Sequence, residues 1–112
     1  MNIIIADDHA VVRSGLRLLL EGHENITVVG DAADGTEAFM LLEKFPVDIV
    51  LMDLRMPPGE NGLQTTRRIK EHFPKVKTII LSMHDEEEYV RKALEYGAKG
   101  YILKSSPDTV LL

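Results

Sequence analysis

Five short apolar runs, each followed by a stretch whose apolar residues recur at helical spacing, divide this chain, and that alternation restricts its fold more than any other feature. Residues 2–6, Asn-Ile-Ile-Ile-Ala, have the length and β-branched content of a buried strand, and Val12, Leu16, Leu19 and Leu20 then mark one face of a helix. Residues 26–30 are a second run. Asp34-Gly35-Thr36-Glu37 has the form of a capping box and opens a helix striped by Ala38, Leu41 and Leu42. Residues 47–52 are a third run, interrupted only by Asp48. Asn61 can cap a helix whose inner face is Gly62, Thr66, Ile69 and Phe73, and Pro74 ends it. Residues 78–81 are a fourth run; Glu86, Val90, Ala93 and Leu94 follow on a helix that Gly97 stops. Residues 101–103 are a fifth run, and Ser106 with Pro107 at the first helical position starts a fifth helix.

Five strand–helix units in 112 residues, the size of one domain, predict an α/β fold. The expected architecture is a doubly wound, five-stranded parallel sheet with helices on both faces and right-handed crossovers. Continuous apolar strands are what a sheet buried on both faces requires. The last helix has only residues 107–112 to build with, under two turns. The expectation is therefore a truncated helix 5, apolar surface left open around the first and fifth strands, and marginal stability or burial of that patch against a second copy. The natural protein is expected to complete helix 5 and continue into an output domain.

Ligands of open parallel sheets sit beyond the carboxyl ends of the strands. There the sequence places Asp7 and Asp8 after the first strand, Asp53 after the third, Ser82 after the fourth and Lys104 after the fifth. Clustered carboxylates stay ionised when a cation compensates them. A hard divalent ion with oxygen ligands, Mg²⁺ above all, is the natural partner and would keep room for a phosphate oxygen. Lys104 adds a mobile positive charge and Ser82 a donor, a set that suits a phosphoryl group. Each residue alone has a plainer reading. Any one of the three aspartates can cap the helix after it; Ser82 can be a turn hydroxyl, Lys104 a surface lysine and Arg55 a salt-bridge partner. His9, His23, His72 and His84 share no ligand spacing, so no histidine metal site is expected.

Composition removes other classes. With no cysteine the chain has no disulfide, thiol nucleophile or thiolate metal site. No apolar run approaches the roughly 18 residues of a membrane span, and no signal segment is visible, so a cytoplasmic, non-membrane protein is expected. A net charge of −5 argues against nucleic-acid binding by this domain itself. The most basic stretch, Arg67-Arg68-Ile69-Lys70, reads as the solvated face of a helix.

Four stretches carry a resemblance. Ile5-Ala6-Asp7-Asp8-His9, Asp53-Leu54-Arg55-Met56-Pro57, Leu81-Ser82 and the run from Gly97 through Lys104 together resemble the receiver domain of bacterial two-component response regulators along nearly the whole chain. The segment from Ala6 through Arg17 is similar to the LuxR/NarL-type subfamily, whose members carry a helix-turn-helix output domain. The resemblance implies a flavodoxin-like (CheY-like) receiver fold over residues 1–112, with the C-terminal output domain absent from this chain. It implies Asp53 as phosphoryl acceptor, and Mg²⁺ or Mn²⁺ held by Asp8, Asp53 and the Arg55 carbonyl, with Asp7 acting through a water. Ser82 and Lys104 would bind phosphoryl oxygens, and Tyr101 would be the aromatic that turns inward when Ser82 moves. Arg55 and His84, two positions past Asp53 and Ser82, would flank the path of an attacking water and modulate phosphoryl lifetime. The chain departs from the family twice. Ser105 stands where proline usually follows the lysine, so a cis bond there would be a costly non-proline one. The loop Pro57-Pro58-Gly59-Glu60-Asn61-Gly62 is one residue longer than usual.

The expected function is a phosphorylation-activated signalling switch rather than an enzyme. A sensor histidine kinase would be the donor, a homodimer would form on phosphorylation, and DNA would be reached only through the missing C-terminal domain. The alternative is an aspartyl-phosphate phosphatase of the haloacid-dehalogenase kind, which needs a second Asp two residues after the acceptor; this chain has Arg55 there. Nucleotide or flavin binding lacks both glycine-rich phosphate motifs.

Overall fold

A strand with helices on both sides must offer alternate side chains to two layers. In the computed structural model of the chain, which describes residues 1–7, 9–53, 62–82 and 87–103, the apolar runs do this. The elements, in chain order, are β1 (Asn2–Ala6), α1 (Ala10–Glu21), β2 (Thr27–Ala32), α2 (Gly35–Lys44), β3 (Ile49–Asp53), α3 (Gly62–His72), β4 (Lys77–Ser82), α4 (Glu87–Glu95) and β5 (Gly100–Leu103). The sheet has five strands in the order β2-β1-β3-β4-β5, every neighbouring pair parallel.

The period of two divides the core. Ile4, Ala6, Val50, Met52 and Ile80 meet Ala38 and Leu42 of α2, Ile69 of α3 and Ala93 of α4 on one face. Ile3, Ile5, Leu51 and Leu81 meet Leu20 of α1 on the other, with Leu16, Ile26, Ile49 and Ile79 packed around them. On this second face an apolar cavity of about 180 Å³, lined by Ile3, Leu20, Ile49, Leu51 and Ile79 among others, lies beside α1. Residues 104–112, where the fifth helix is expected, lie outside the described residues.

Local chemistry accounts for the boundaries. Asp34 caps α2 as its box predicts: its Oδ1 accepts the Glu37 N–H at 2.9 Å. α3 stops one residue short of Phe73, before Pro74, whose ring disfavours helix at the preceding residue. Gly97 ends α4 with φ of +110°; the bonds from Ala98 N to Ala93 O at 2.9 Å and Gly97 N to Leu94 O at 3.1 Å form a Schellman arrangement. Gly30 lets α2 approach β2, since a Cβ there would meet Leu41 Cδ1 at 3.2 Å.

Several expectations are revised. β2 runs two residues past Gly30, because Ala32 is small enough to be buried and Asp31 turns outward. There Asp31 lies 3.2 Å from Arg17 Nη1 and 3.7 Å from Arg13 Nε. A bulge at Val29 absorbs the changed register. Asp48, read as an interruption of the third strand, precedes it and accepts the Asn2 N–H at 2.7 Å. Leu19 and Leu94, assigned to inner stripes, are exposed. Each sits next in sequence to the residue that enters the core, Leu20 or Ala93, and adjacent helical positions point about 100° apart. The basic stretch of α3 is only partly a solvated face. Arg67 is exposed and pairs with Glu71 at 3.5 Å, whereas the Arg68 guanidinium lies over the Phe39 ring at 4.3 Å.

Candidate functional site

The strand order places the site. After β1 the chain crosses to one side to make β2, then returns to make β3 on the other side of β1. The crevice where a parallel sheet reverses direction in this way is where such sheets bind ligands. Ala6 pairs with Met52, so Asp7 and Asp53 leave the sheet at the same level from adjacent strands. Asp53 pairs with Leu81, so Ser82 stands one step further on β4. Ser82 pairs with Leu103, the last residue of β5. The backbone thus brings Asp7, Asp53 and Ser82 to one edge.

Asp7 is 1% exposed and Asp53 8%. The Asp7 amide extends the β1–β2 ladder by donating to Ala32 O at 3.0 Å. Its carboxylate Oδ1 accepts the His9 N–H at 2.8 Å, and His9 Nδ1 stands 3.3 Å from the same oxygen. Arg13, in the first turn of α1, donates from Nη1 to the Asp7 carbonyl at 2.5 Å. One ligand atom each from Asp7, His9 and Asp53 lie within 4.8 Å of one another.

Two buried carboxylates with an imidazole at their solvent side form a donor set for a divalent cation: hard oxygens that suit Mg²⁺ or Mn²⁺, and one borderline nitrogen. A cation between the carboxylates offsets their mutual repulsion, which low local polarity strengthens. The residues present therefore fit a metal. His9 and Arg13 are the two that sequence reasoning did not bring to the site. The only signal for His9 was its position two residues after Asp7; the other partner, Asp53, is far away in the chain.

Ser82 and Tyr101 lie within β4 and β5, Tyr101 opposite Ile80, but their side chains lie outside the described residues. Asp8, Arg55, His84 and Lys104 also lie outside them, as do the Asn61 cap, the long loop before α3 and the bond from Lys104 to Ser105. Among the described residues no helix is long and apolar enough to cross a membrane.

Comparison with known proteins gives one consistent result. The family model "Response regulator receiver domain" matches residues 3–112. The oxygen regulatory protein NreC of Staphylococcus haemolyticus is 53% identical over 112 residues, covering all of this chain and 52% of that protein. The chain thus spans about half the length of the curated relatives it matches. Among solved structures, a two-component response regulator of the LuxR family from Aurantimonas sp. SI85-9A1 is 39% identical with a TM-score of 0.92, over 98% of this chain and 78% of that one. RcsB from Salmonella enterica serovar Typhimurium, bound to promoter rprA in the presence of phosphomimetic BeF3−, is 36% identical with a TM-score of 0.91, over 99% of this chain and 63% of that one.

Proposed function

This chain belongs to the response regulator receiver domain family, with LuxR- and NarL-type regulators among its relatives, and on that premise we propose that it is a phosphorylation-activated switch of a two-component system with Asp53 as the acceptor. The observation that carries the reading is the buried Asp53 carboxylate at the end of β3, within 4.8 Å of donor atoms of Asp7 and His9. A lone capping aspartate has no need of a second buried carboxylate beside it.

The donor is a phosphohistidine of a sensor kinase. An Asp53 carboxylate oxygen bonds to phosphorus, the phosphorus–nitrogen bond breaks, and the histidine nitrogen leaves with the bond pair and takes up a proton. A carboxylate is a weak nucleophile and the transition state is loose, so the protein contributes positioning and charge compensation. Asp8, Asp53 and the Arg55 carbonyl would hold Mg²⁺ or Mn²⁺, with Asp7 acting through a water, and the ion would supply charge neutralisation at the phosphoryl oxygens. Ser82 and Lys104 take those oxygens once they are attached, since a phosphoryl group adds roughly −2 charge and three strong acceptors. Tyr101 follows Ser82 inward, and Arg55 and His84 screen the bond from water. The output is a shift between two surfaces of one fold rather than turnover of a substrate.

The reading extends to the whole protein as a receiver of residues 1–112 followed by a DNA-binding output domain, with a phosphorylation-dependent homodimer and a cytoplasmic setting. Support comes from relatives about twice the length of this chain and from the Salmonella relative bound to promoter DNA in the presence of a phosphomimetic. The direct test is incubation with acetyl phosphate and Mg²⁺ followed by intact-protein mass measurement. One phosphoryl group adds to the native chain and none to Asp53→Ala; labelling that persists in the variant overturns the assignment.

A further inference from the structure

We propose that His9 is a nitrogen ligand of the divalent cation, so that the site prefers borderline first-row ions over Mg²⁺ more strongly than an all-oxygen site does. The inference rests on the reading of the Asp7–Asp53 crevice as a cation site and adds a ligand to it.

Three observations converge on His9. It stands at the N-cap of α1, a position that favours Ser, Thr, Asp or Asn because their short oxygens reach the first amides; its side chain makes no capping hydrogen bond. Its backbone is anchored, the amide donating to Asp7 Oδ1 at 2.8 Å, so the imidazole is pinned at its base beside the carboxylate. One of its nitrogens lies within 4.8 Å of a carboxylate oxygen of both Asp7 and Asp53. Donors on opposite sides of an ion bound at about 2.1 Å stand about 4.2 Å apart, and a carboxylate held through a water stands further off, so three atoms all within 4.8 Å of one another leave room for His9 and Asp53 to share one ion beside Asp7. The two carboxylates are buried while the His9 side chain is 67% exposed. The ring can therefore make that adjustment without disturbing the core, and it faces an ion arriving from solvent.

The chemistry gives the arrangement a direction. Mg²⁺ takes oxygen ligands almost exclusively, whereas affinity for imidazole-containing sites rises from Mn²⁺ through Co²⁺ to Ni²⁺. His9 should therefore contribute little when Mg²⁺ is bound and much when Ni²⁺ is.

The test uses the whole chain and the metals alone. With Mn²⁺ bound, pulsed electron paramagnetic resonance should show a ¹⁴N coupling that converts to a ¹⁵N coupling when the histidines are ¹⁵N-labelled, and that disappears in His9→Gln. By titration calorimetry, His9→Gln should weaken Ni²⁺ about tenfold or more while weakening Mg²⁺ less than about threefold. If Mn²⁺ binds without nitrogen coupling, or the coupling survives in His9→Gln, the ligand assignment falls and the cation site stands. If neither Mn²⁺ nor Mg²⁺ binds the native chain, the cation site falls with it.

Discussion

Asp7 and Asp53 hold neighbouring carboxylates where water has little access, so a change of charge at either is felt by the other. A carboxylate that contacts the ion directly loses more binding when neutralised than one acting through a water. Asp8→Asn should therefore weaken Mg²⁺ more than Asp7→Asn does, as calorimetric titration of the two variants would show. The Asp7→Asn chain should stay folded, because an amide oxygen can still accept the His9 N–H. Equal or reversed losses contradict the assigned roles. The role proposed for Arg55 and His84 comes later, on the bond already made. Removing both side chains should open the acyl phosphate to water and shorten its lifetime, which loss of the phosphoryl mass over time would follow. An unchanged rate refutes the shielding role.

At the scale of single elements, magnitudes separate interactions that matter from those that decorate. The pairs joining Arg13 and Arg17 to Asp31, and Arg17 to Glu21, involve partly exposed groups and are each worth only about 0–1 kcal/mol. The α2 cap and the α4 stop weigh more. Asp34→Ala deletes the acceptor of the Glu37 amide and should cost about 1 kcal/mol. Gly97→Ala forces a Cβ to within 2.5 Å of Lys70 Cδ and holds a side-chain-bearing residue at φ +110°. Lys70 is exposed and its outer carbons can swing away, but its Cβ at 3.0 Å cannot, so a tight contact with α3 adds to backbone strain of about 1–2 kcal/mol. Urea unfolding midpoints measure both changes. A Gly97→Ala chain as stable as the native one would mean that the end of α4 relaxes to another conformation.

For the whole molecule, ligand binding and folding are coupled, because a crevice assembled from β1 and β3 exists only in the folded chain. An ion that binds only the folded state stabilises it by about 2.7 kcal/mol at a hundredfold excess over its dissociation constant. That is a sizeable part of the roughly 5–15 kcal/mol that holds a domain together. Thermal unfolding with and without Mg²⁺ should show a clear rise in Tm for the native chain, and a much smaller one for Asp53→Ala. A Tm indifferent to Mg²⁺ in the native chain contradicts the cation site.

What the sequence determined by itself is what depends on local periodicity. A run such as Ile3-Ile4-Ile5 can be read as a strand buried on both faces, and Ala38 with Leu42 as a helix stripe, because the repeats of two and 3.6 residues are properties of neighbouring positions. The carboxyl-end position of Asp7, Asp53 and Ser82 follows from the same count. Tertiary structure decided what depends on how elements meet. How far each helix is rotated about its axis is set by the sheet it lands on, and this turned Leu19 and Leu94 outward while admitting Leu20 and Ala93. Strand order is not written in any local pattern. It is the placement of β3 beside β1 that buries the Asp7 and Asp53 carboxylates together and brings His9 within reach of both. A histidine without ligand spacing along the chain becomes a ligand candidate only in space, because coordination depends on distances of a few ångströms and not on sequence separation.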